Sequence, residues 1–497
     1  MSVERLVGAA TCEGTKRGAE SFGEGARTLG RTGLVVSPIG FGGYRIRDDE
    51  VEHRRALTMA LEGGVNLVDT STNYGDGRSE TLVGLALAQA VQQGAVRREQ
   101  IVVVSKIGYV QGSNLARVRA RPFPEIVEVD AHCWHCIHPD FIRAQLDESL
   151  ARLGLAHLDV LLLHNPEYFL GEGRQRSVYE DRLRRAFACL EALARAGTIS
   201  WYGASSNGLP LPESAPTYTS MQRLVELARE VGGDDHHFGV VQLPMNLLEL
   251  GAATCRHASE GGRTALQVAS AADLGVLVNR PLNGIRGDAL VRLADPAGDD
   301  AGVGEALAVV RKLEGVWADE LGKRIVTEDG KDNAIDLFRW GQELARVWRQ
   351  LDDPARWQSL RHDMIAKQLG QASAALLANL QGDERDAFAR WWQRYGTAMH
   401  DAFTAIEAWL ARPPTLQAKI SRAIDPLLPT PWRELPLSRK AVLVALSAPI
   451  GCALVGMRRP PWVADMLALR EHPVRLLSAA TGPVAIDELQ ARVSQAL

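Results

Sequence analysis

The sequence has no run of about 18 or more apolar residues, the length that a membrane-spanning helix needs. Its first 20 residues also lack the apolar segment of a secretory signal peptide. A net charge of -4 offers no strongly basic surface to nucleic acid or to an anionic membrane. We therefore expect neither a membrane nor a nucleic acid as a partner, and we expect a cytoplasmic location.

Cysteine is scarce, and one well-known glycine pattern is missing. Six Cys in 497 residues fit reduced thiols better than a disulfide framework. No G-x-G-x-x-G follows the first predicted strand, so we do not expect a Rossmann dinucleotide-binding domain. The length exceeds what a single core usually supports, so two compact units or one domain with a large insertion are expected.

Short apolar runs alternate with amphipathic segments up to about residue 280. This alternation predicts parallel βαβ units with right-handed crossovers. The predicted strands are Ile39–Phe41, Val65–Asp69, Ile101–Lys106, Leu158–Leu163, Ile199–Ala204, Val240–Gln242 and Val276–Val278. The predicted helices are Glu50–Glu62, Ser79–Gln92, Pro139–Leu153, Asp181–Ala196, Ser220–Val231 and Arg263–Ala272.

An eighth strand, Cys452–Val455, is predicted only near the end, after a helix at Ser438–Leu446. Between them, residues 295–431 show helical spacing, and the region contains seven of the eleven Trp, a pattern typical of a helix-bundle core. The predicted fold is α/β, a (β/α)8 TIM barrel with an all-helical insertion between strands 7 and 8. We divide the chain into an N-terminal tail (1–26), barrel strands 1–7 (27–294), the insertion (295–431) and the barrel completion (432–497). Two short strands within 27–37 would close the bottom of the barrel.

Polar residues follow three successive predicted strands. Asp69 ends the second, Lys106 the third and His164 the fourth, while Tyr74 lies five residues after the aspartate. Each alone is explained by a turn, a solvated surface or a structural hydrogen bond. A barrel of this kind gathers the ends of its strands at one mouth, where catalysis takes place. There, a buried Lys106 needs a partner, and Asp69 is available.

The chain resembles the aldo-keto reductases over about residues 27–292 and 434–480. The resemblance is carried by RTGLVVSPIGFGG at 31–43, YGDGRSE at 74–80, SLARLG at 149–154 and LDVLLLH at 158–164. It implies a catalytic tetrad of Asp69, Tyr74, Lys106 and His164, and hydride exchange between NAD(P)H and a small carbonyl or alcohol substrate. Tyr74 would donate the proton, with Lys106 lowering its pKa, Asp69 holding Lys106 and His164 orienting the carbonyl.

The segment after the eighth strand predicts a phosphate site. Gly456, Met457 and Arg458 precede a helix that begins with proline, where backbone N–H groups and a guanidinium favour phosphate. By resemblance it would bind the adenosine phosphate, so NADP(H) is preferred to NAD(H), which remains possible. The resemblance implies further cofactor contacts from the other strand ends: Gly42, Asn165, Ser205, Ser206, Gln242, Arg280, Pro281 and Leu282.

Two positions depart from the family pattern. Asn279 stands at or near the place of an aromatic ring that stacks on nicotinamide, and Met466 stands where an Asn commonly contacts adenine. Residues 132–138 form a His/Cys-rich loop, but no second Cys pair completes a zinc site, so we expect no metal. Two rival functions stay open: a catalytically weak nucleotide-binding redox sensor acting through the insertion, and a metal-dependent hydrolase using this loop. The insertion itself is either a lid or a docking module.

Overall fold

The computed structural model describes residues 5–286, 289–294, 302–322, 337–351, 354–410, 415–474 and 485–496. Two compact units make up the chain. The first combines Met1–Ala294 with Gln417–Leu497, and the second is Asp295–Leu416.

A closed barrel of eight parallel strands forms the first unit. In chain order these are β1 (Ile39–Gly42), β2 (Leu67–Asp69), β3 (Val102–Ile107), β4 (Leu158–His164), β5 (Ile199–Ser205), β6 (Phe238–Pro244), β7 (Gly275–Asn279) and β8 (Cys452–Val455). Strand β8 lies between β7 and β1 and completes the ring. Because both faces of such strands are covered, they appear in sequence as short, almost continuous apolar runs. All eight predicted strands and the barrel fold are confirmed.

Helices connect the strands. They are α1 (Val51–Glu62), α2 (Arg78–Gln92), α3 (Pro139–Leu153), α4 (Arg176–Arg195), α5 (Met221–Gly232), α6 (Ala265–Ala271), α7 (Leu437–Leu446) and α8 (Pro460–Leu467). Helix α3 begins with Pro139 and ends at Gly154, whose φ of 62° suits glycine. The Ser220 side chain accepts a hydrogen bond from the Arg223 N–H and caps α5.

The bottom of the barrel is closed by a hairpin of Arg27–Thr28 and Val35–Val36. Leu29 and Leu34 from this hairpin are buried in one apolar cluster with inward-facing residues of the strands. The segment predicted as an N-terminal tail contains a helix, Cys12–Gly18, whose first turn is capped by Thr11. The apolar interior is therefore sealed at the end opposite the carboxyl ends of the strands.

Replacing Leu29 with Ala is expected to lower the free energy of unfolding by about 3 kcal/mol, because a fully buried side chain would leave a cavity in the barrel floor. Urea unfolding followed by circular dichroism would measure this loss. Leu85→Ala is the matched control, since Leu85 is 46% exposed and its truncation should cost under about 1 kcal/mol. Equal losses in the two variants would contradict the role of the hairpin.

Smaller elements decorate the first unit. A three-stranded antiparallel sheet between β3 and α3 has the order Tyr109–Val110, Trp134–His135, Val127–Glu128. Antiparallel pairs form between Asn283–Arg286 and Ala289–Arg292 and between Arg256–His257 and Arg263–Thr264. The remaining α-helices are Gly112–Ala120, Gly251–Thr254, Leu416–Ile424, Thr430–Arg433 and Ile486–Ala496. Short 3₁₀ turns lie at Glu20–Gly25, Arg98–Gln100, Pro166–Gly173, Ala258–Glu260, Asp425–Leu427 and Ala468–Glu471.

The second unit is helical throughout its described residues. Its α-helices are Val303–Val316, Trp340–Val347, Pro354–Ser359, Lys367–Asn379 and Gly382–Leu410, with π-helical turns at Trp317–Leu321 and Leu360–Ala366 and a 3₁₀ turn at Trp348–Gln350. Trp317 and Trp391 lie in its core with ring centroids 4.8 Å apart. The predicted Trp-containing bundle core is present.

The compact helical unit ends at Leu416, whereas the sequence placed this boundary at residue 431. Lys440 of α7 donates hydrogen bonds to Asp425 at 2.6 Å and to Ser421 at 2.8 Å, so this stretch is tied to the barrel unit. No helix within the described ranges combines the length and apolar character required to span a membrane.

Candidate active site

The predicted tetrad meets at the carboxyl ends of the strands because of the strand period of two. Val104 of β3 belongs to the apolar interior, so Lys106 two residues later points inward as well. Asp69 is paired in register with Val104, and His164 follows the interior residues of β4. The same alternation places six polar residues at the strand ends, with their side chains directed to the inside of the barrel mouth. This polar layer consists of Asp69, Lys106, His164, Ser205, Gln242 and Asn279.

Lys106 is the centre of this layer and is fully buried. Its ammonium donates hydrogen bonds to Asp69 Oδ2 at 2.7 Å, to the Thr70 carbonyl at 2.8 Å and to the Tyr74 hydroxyl at 3.2 Å. Burial opposes its charge, but Asp69 and Tyr74 outweigh that effect and raise the pKa of Lys106 above its ordinary value. The ammonium therefore stays charged beside the phenol.

The pKa of Tyr74 differs from the prediction. Burial raises the pKa of this phenol, and Lys106 offsets that rise only in part. The expectation of a net lowering was wrong, because it counted the neighbouring ammonium and not the loss of solvent around the ring. At neutral pH Tyr74 consequently carries its proton.

His164 lies on the other side of Tyr74. The two rings meet edge to face with centroids 5.9 Å apart, and His164 Nδ1 is 3.1 Å from the Ser71 hydroxyl. Burial, followed by the charge of Lys106, holds the pKa of His164 well below its ordinary value. The imidazole is neutral at physiological pH and able to donate one hydrogen bond to a bound oxygen.

A second hydrogen-bond network begins at Asp69 Oδ1, the carboxylate oxygen that does not bind Lys106. Gln242 Nε2 donates to Asp69 Oδ1 at 2.8 Å. The side-chain oxygen of Gln242, Oε1, accepts hydrogen bonds from Ser205 Oγ and from Asn279 Nδ2, both at 3.1 Å. Asn279, which departs from the aromatic residue of the family pattern, is thereby held in the polar layer together with two predicted cofactor residues.

Three further predicted cofactor positions lie at neighbouring strand ends. Gly42 of β1 runs close to β8, since a Cβ there would come within 3.3 Å of the Val455 carbonyl oxygen. Asn165 lies directly after His164 and has a left-handed φ of 49°. Its side-chain Nδ2 donates a hydrogen bond to the Tyr109 hydroxyl at 2.7 Å. Ser206 Oγ accepts from the Gly208 N–H at 3.0 Å.

The loop after β7 supplies the next predicted group. Arg280 has a left-handed φ of 57°, and its Nη2 donates to Glu249 at 2.9 Å. Its buried Nε has no hydrogen-bond partner among the described residues. Pro281 and Leu282 follow it and are buried. The Arg280 guanidinium is therefore held by Glu249 through Nη2 and has one N–H donor, at Nε, without a partner among the described residues.

The predicted phosphate segment after β8 is strongly basic. Gly456 is exposed, Met457 is buried, and the guanidinium of Arg458 lies 5.7 Å from the ring centre of Trp462. Two more guanidiniums approach the same ring, Arg459 at 5.5 Å and Arg292 at 5.7 Å. Burial, then the charges of Arg458 and Arg45, lowers the pKa of Arg292. An anion placed among these groups would relieve their mutual repulsion.

The sequence did not indicate the aromatic group that lies beside His164. Tyr109 packs edge to face on His164 at 4.6 Å, and Tyr168 contacts Tyr109 at 5.4 Å. His135, from the His/Cys-rich loop, donates from Nε2 to the His164 carbonyl at 2.8 Å. Burial lowers the pKa of His135 to about 4, so it is neutral. The nearest signal in the sequence was the density of His in residues 132–138.

The His/Cys-rich loop does not gather ligands in the manner of a zinc centre. Cys133 and Cys136 are both buried and free. Across the described ranges, no three side chains of His, Cys, Asp or Glu cluster in a way that would hold a metal ion. The role visible for His135 is the support of the His164 backbone.

Two curated proteins are similar to part of this chain. The chain is 30% identical over 194 residues to L-galactose dehydrogenase of Arabidopsis thaliana, covering 37% of this chain and 49% of the relative. It is 30% identical over 147 residues to NADH-specific methylglyoxal reductase of Escherichia coli, covering 27% and 40%. The matched part thus spans less than half the length of these curated relatives.

A solved glycerol dehydrogenase from Gluconobacter oxydans is similar over 96% of this chain and 95% of its own, with 18% identity and a TM-score of 0.45. The model of the aldo/keto reductase family matches residues 38–260, which include the whole tetrad. Over these residues the chain is similar to the aldo/keto reductase family.

Proposed function

We propose that the protein is an NAD(P)H-dependent oxidoreductase that interconverts a small carbonyl compound and its alcohol, with Tyr74 as the proton donor. The observation that carries this proposal is the contact of the Tyr74 hydroxyl with a fully buried, Asp69-paired Lys106 at 3.2 Å. Such an arrangement is unnecessary for a sensor that only binds nucleotide, because it serves to move a proton.

Each residue of the tetrad has a distinct task in reduction. A bound dihydronicotinamide supplies the hydride. The neutral His164 donates a hydrogen bond to the substrate carbonyl oxygen and orients it. Tyr74 donates its proton to that oxygen as negative charge develops, and Lys106 stabilises the resulting phenolate. Asp69 keeps Lys106 charged and, through Gln242, ties this proton-donating group to the strand ends.

The residues at the barrel mouth fit a phosphate-bearing nicotinamide cofactor. Arg458, Arg459 and Arg292 would hold the adenosine phosphate near the first turn of α8, and Arg280 with its unused Nε–H would approach the pyrophosphate. Gly42, Asn165, Ser205 and Ser206 would lie along the nicotinamide half. The guanidinium cluster favours NADP(H), although one relative is named an NADH-specific enzyme.

The direct experiment is NADPH oxidation followed at 340 nm with a panel of small aldehydes and ketones. Because burial raises the pKa of Tyr74, the donor stays protonated across the neutral range, so kcat for reduction should be flat there and fall only as pH rises through the raised pKa. Oxidation of the alcohol needs the deprotonated phenol and should rise with pH. Tight NADPH binding with no turnover on any carbonyl would favour the sensor instead.

Arg458→Ala is expected to raise the KM for NADPH about ten- to hundredfold, because one charge-assisted contact to phosphate is lost. The KM for NADH should change less than about threefold, since NADH lacks that phosphate. Arg385→Ala, an exposed position in the helical unit, is the control for a lost surface charge. An equal change for both cofactors would contradict the assignment of this residue to the adenosine phosphate.

A further inference from the structure

Glu167 is a buried carboxyl group that the proposed reaction does not use. It lies in the turn Pro166–Gly173 after β4, three residues beyond His164, and is only 2% exposed. Burial raises the pKa of Glu167 to about 7, although hydrogen bonds from the Ser206 side chain and from two backbone N–H groups counteract the rise. Taking a carboxylate out of water costs free energy, so a specific role is expected for it.

The carboxylate connects the loops that follow β4 and β5. Glu167 Oε1 accepts hydrogen bonds from the Asn207 N–H at 2.8 Å and from the Gly208 N–H at 3.3 Å. Both donors follow Ser206 directly in the chain. Because an ionised oxygen accepts more strongly than a neutral one, two bonds from successive N–H groups fix the direction of this backbone. The position of the second loop therefore depends on Glu167.

The segment that Glu167 holds contains Ser205 and Ser206, which are proposed to lie along the nicotinamide half of the cofactor. The Asn165 N–H donates to the Ser205 carbonyl at 2.7 Å, and the Ser206 N–H donates to a carbonyl of β6 at 2.9 Å. These bonds hold the start of the segment, and the bonds to Glu167 hold its end. Residues 205–208 are consequently fixed from both sides.

We infer that Glu167 is a positioning residue for hydride transfer, and that its carboxylate sets the backbone at 205–208 against which the nicotinamide half of the cofactor binds. This inference rests on the proposed function and adds a residue to it. Glu167 acts through the N–H groups of Asn207 and Gly208. Its loss should displace the nicotinamide end of the cofactor, and a small misplacement of reacting atoms is enough to slow the transfer. The adenosine end, assigned to the guanidinium cluster, should stay in place.

The test uses calorimetric titration at about pH 8, where Glu167 is ionised, and compares NADPH with adenosine 2′,5′-bisphosphate, which lacks the nicotinamide half. Glu167→Ala should raise the Kd for NADPH about tenfold, the effect of about one lost hydrogen bond, and change the Kd for the bisphosphate less than about twofold. The kcat for carbonyl reduction should fall at least about tenfold. Glu167→Gln keeps an oxygen acceptor for both N–H groups and should recover most of both losses.

Glu314→Ala, in the helical unit, is the matched control. Glu314 is also a buried carboxyl group that accepts hydrogen bonds from two successive backbone N–H groups, those of Gly341 and Gln342. Its removal should lower stability and leave both Kd values within about twofold of native, because these bonds lie within the helical unit. If Glu167→Ala does not fold, Glu167→Asp takes its place. Asp keeps the charge and is one methylene shorter, so the same selective loss of NADPH affinity is expected.

The outcomes separate this inference from the proposed function. Native Kd and kcat values in the Glu167 variants would overturn the positioning role and leave the oxidoreductase standing. An equal loss of affinity for NADPH and for the bisphosphate would also overturn it, because a general loss of structure would then explain the effect. A native chain that neither binds NADPH nor reduces any carbonyl compound would overturn the proposed function together with this inference.

Discussion

Tyr74→Phe is expected to lower kcat for carbonyl reduction by about 10³-fold, since a positioned general acid typically contributes 10²–10⁴. The ring stays in place because Phe keeps its edge contacts to Tyr44 and His164, at 5.2 and 5.9 Å in the native chain. Only the hydroxyl that contacts Lys106 disappears. Cofactor affinity, followed by fluorescence titration with NADPH, should change less than about threefold.

Tyr44→Phe is the matched control for that loss. Tyr44 touches the Tyr74 ring but is 63% exposed, and its hydroxyl has no place in the proposed proton transfer. It should keep kcat within about threefold of the native value. If Tyr74→Phe retained more than a tenth of the native kcat, another group would have to deliver the proton.

Lys106→Met should destabilise the barrel unit by about 3–5 kcal/mol, because it removes the counterion of a buried carboxylate. Met has a similar length, so packing changes little and the effect is electrostatic. Without Lys106 the pKa of Asp69, which burial already raises, moves further above its unfolded value. The folded state then binds the extra proton, so the variant should lose stability as pH rises from below about 4 toward neutrality.

The double variant Asp69→Asn with Lys106→Met provides the control. It removes both charges and keeps a carbonyl oxygen for Gln242, which donates to Asp69 Oδ1 in the native chain. Its unfolding midpoint in urea at pH 7 should recover most of the loss. Its stability should vary less with pH between 4 and 7 than that of Lys106→Met, because no carboxyl remains at position 69 to titrate. A double variant as unstable as Lys106→Met would show that packing, and not the unpaired charge, sets the cost.

The barrel could be predicted because each strand is a local apolar run of three to seven residues, as burial of both faces of the sheet requires. The convergence of Asp69, Lys106 and His164 followed from the same rule, since these residues end successive strands, whereas their grouping with Tyr74 as a tetrad came from the family resemblance. The predicted roles of the site residues remain predictions, but their convergence at one mouth is a property of the fold. The helical unit was recognisable from its Trp spacing.

The features of the site that the sequence did not predict depend on contacts between residues that are far apart in the chain. The sheet containing Tyr109 and His135 has strands of two residues, too short to produce any pattern of their own. Tyr109 and Tyr168 are 59 positions apart, and their pairing arises only when β3 and β4 lie side by side. The direction of the Tyr74 pKa was misjudged for the same reason, because burial is set by the whole barrel mouth.

The position of β8 in the chain has a consequence for biosynthesis. Strand β8 pairs with both β7 and β1, yet it follows β7 only after the entire helical unit has been translated. Until Cys452–Val455 leaves the ribosome, the nascent chain holds two unpaired edges, which are sites where other strands can add. Synthesis of β8 therefore converts an open, aggregation-prone sheet into a ring without edges.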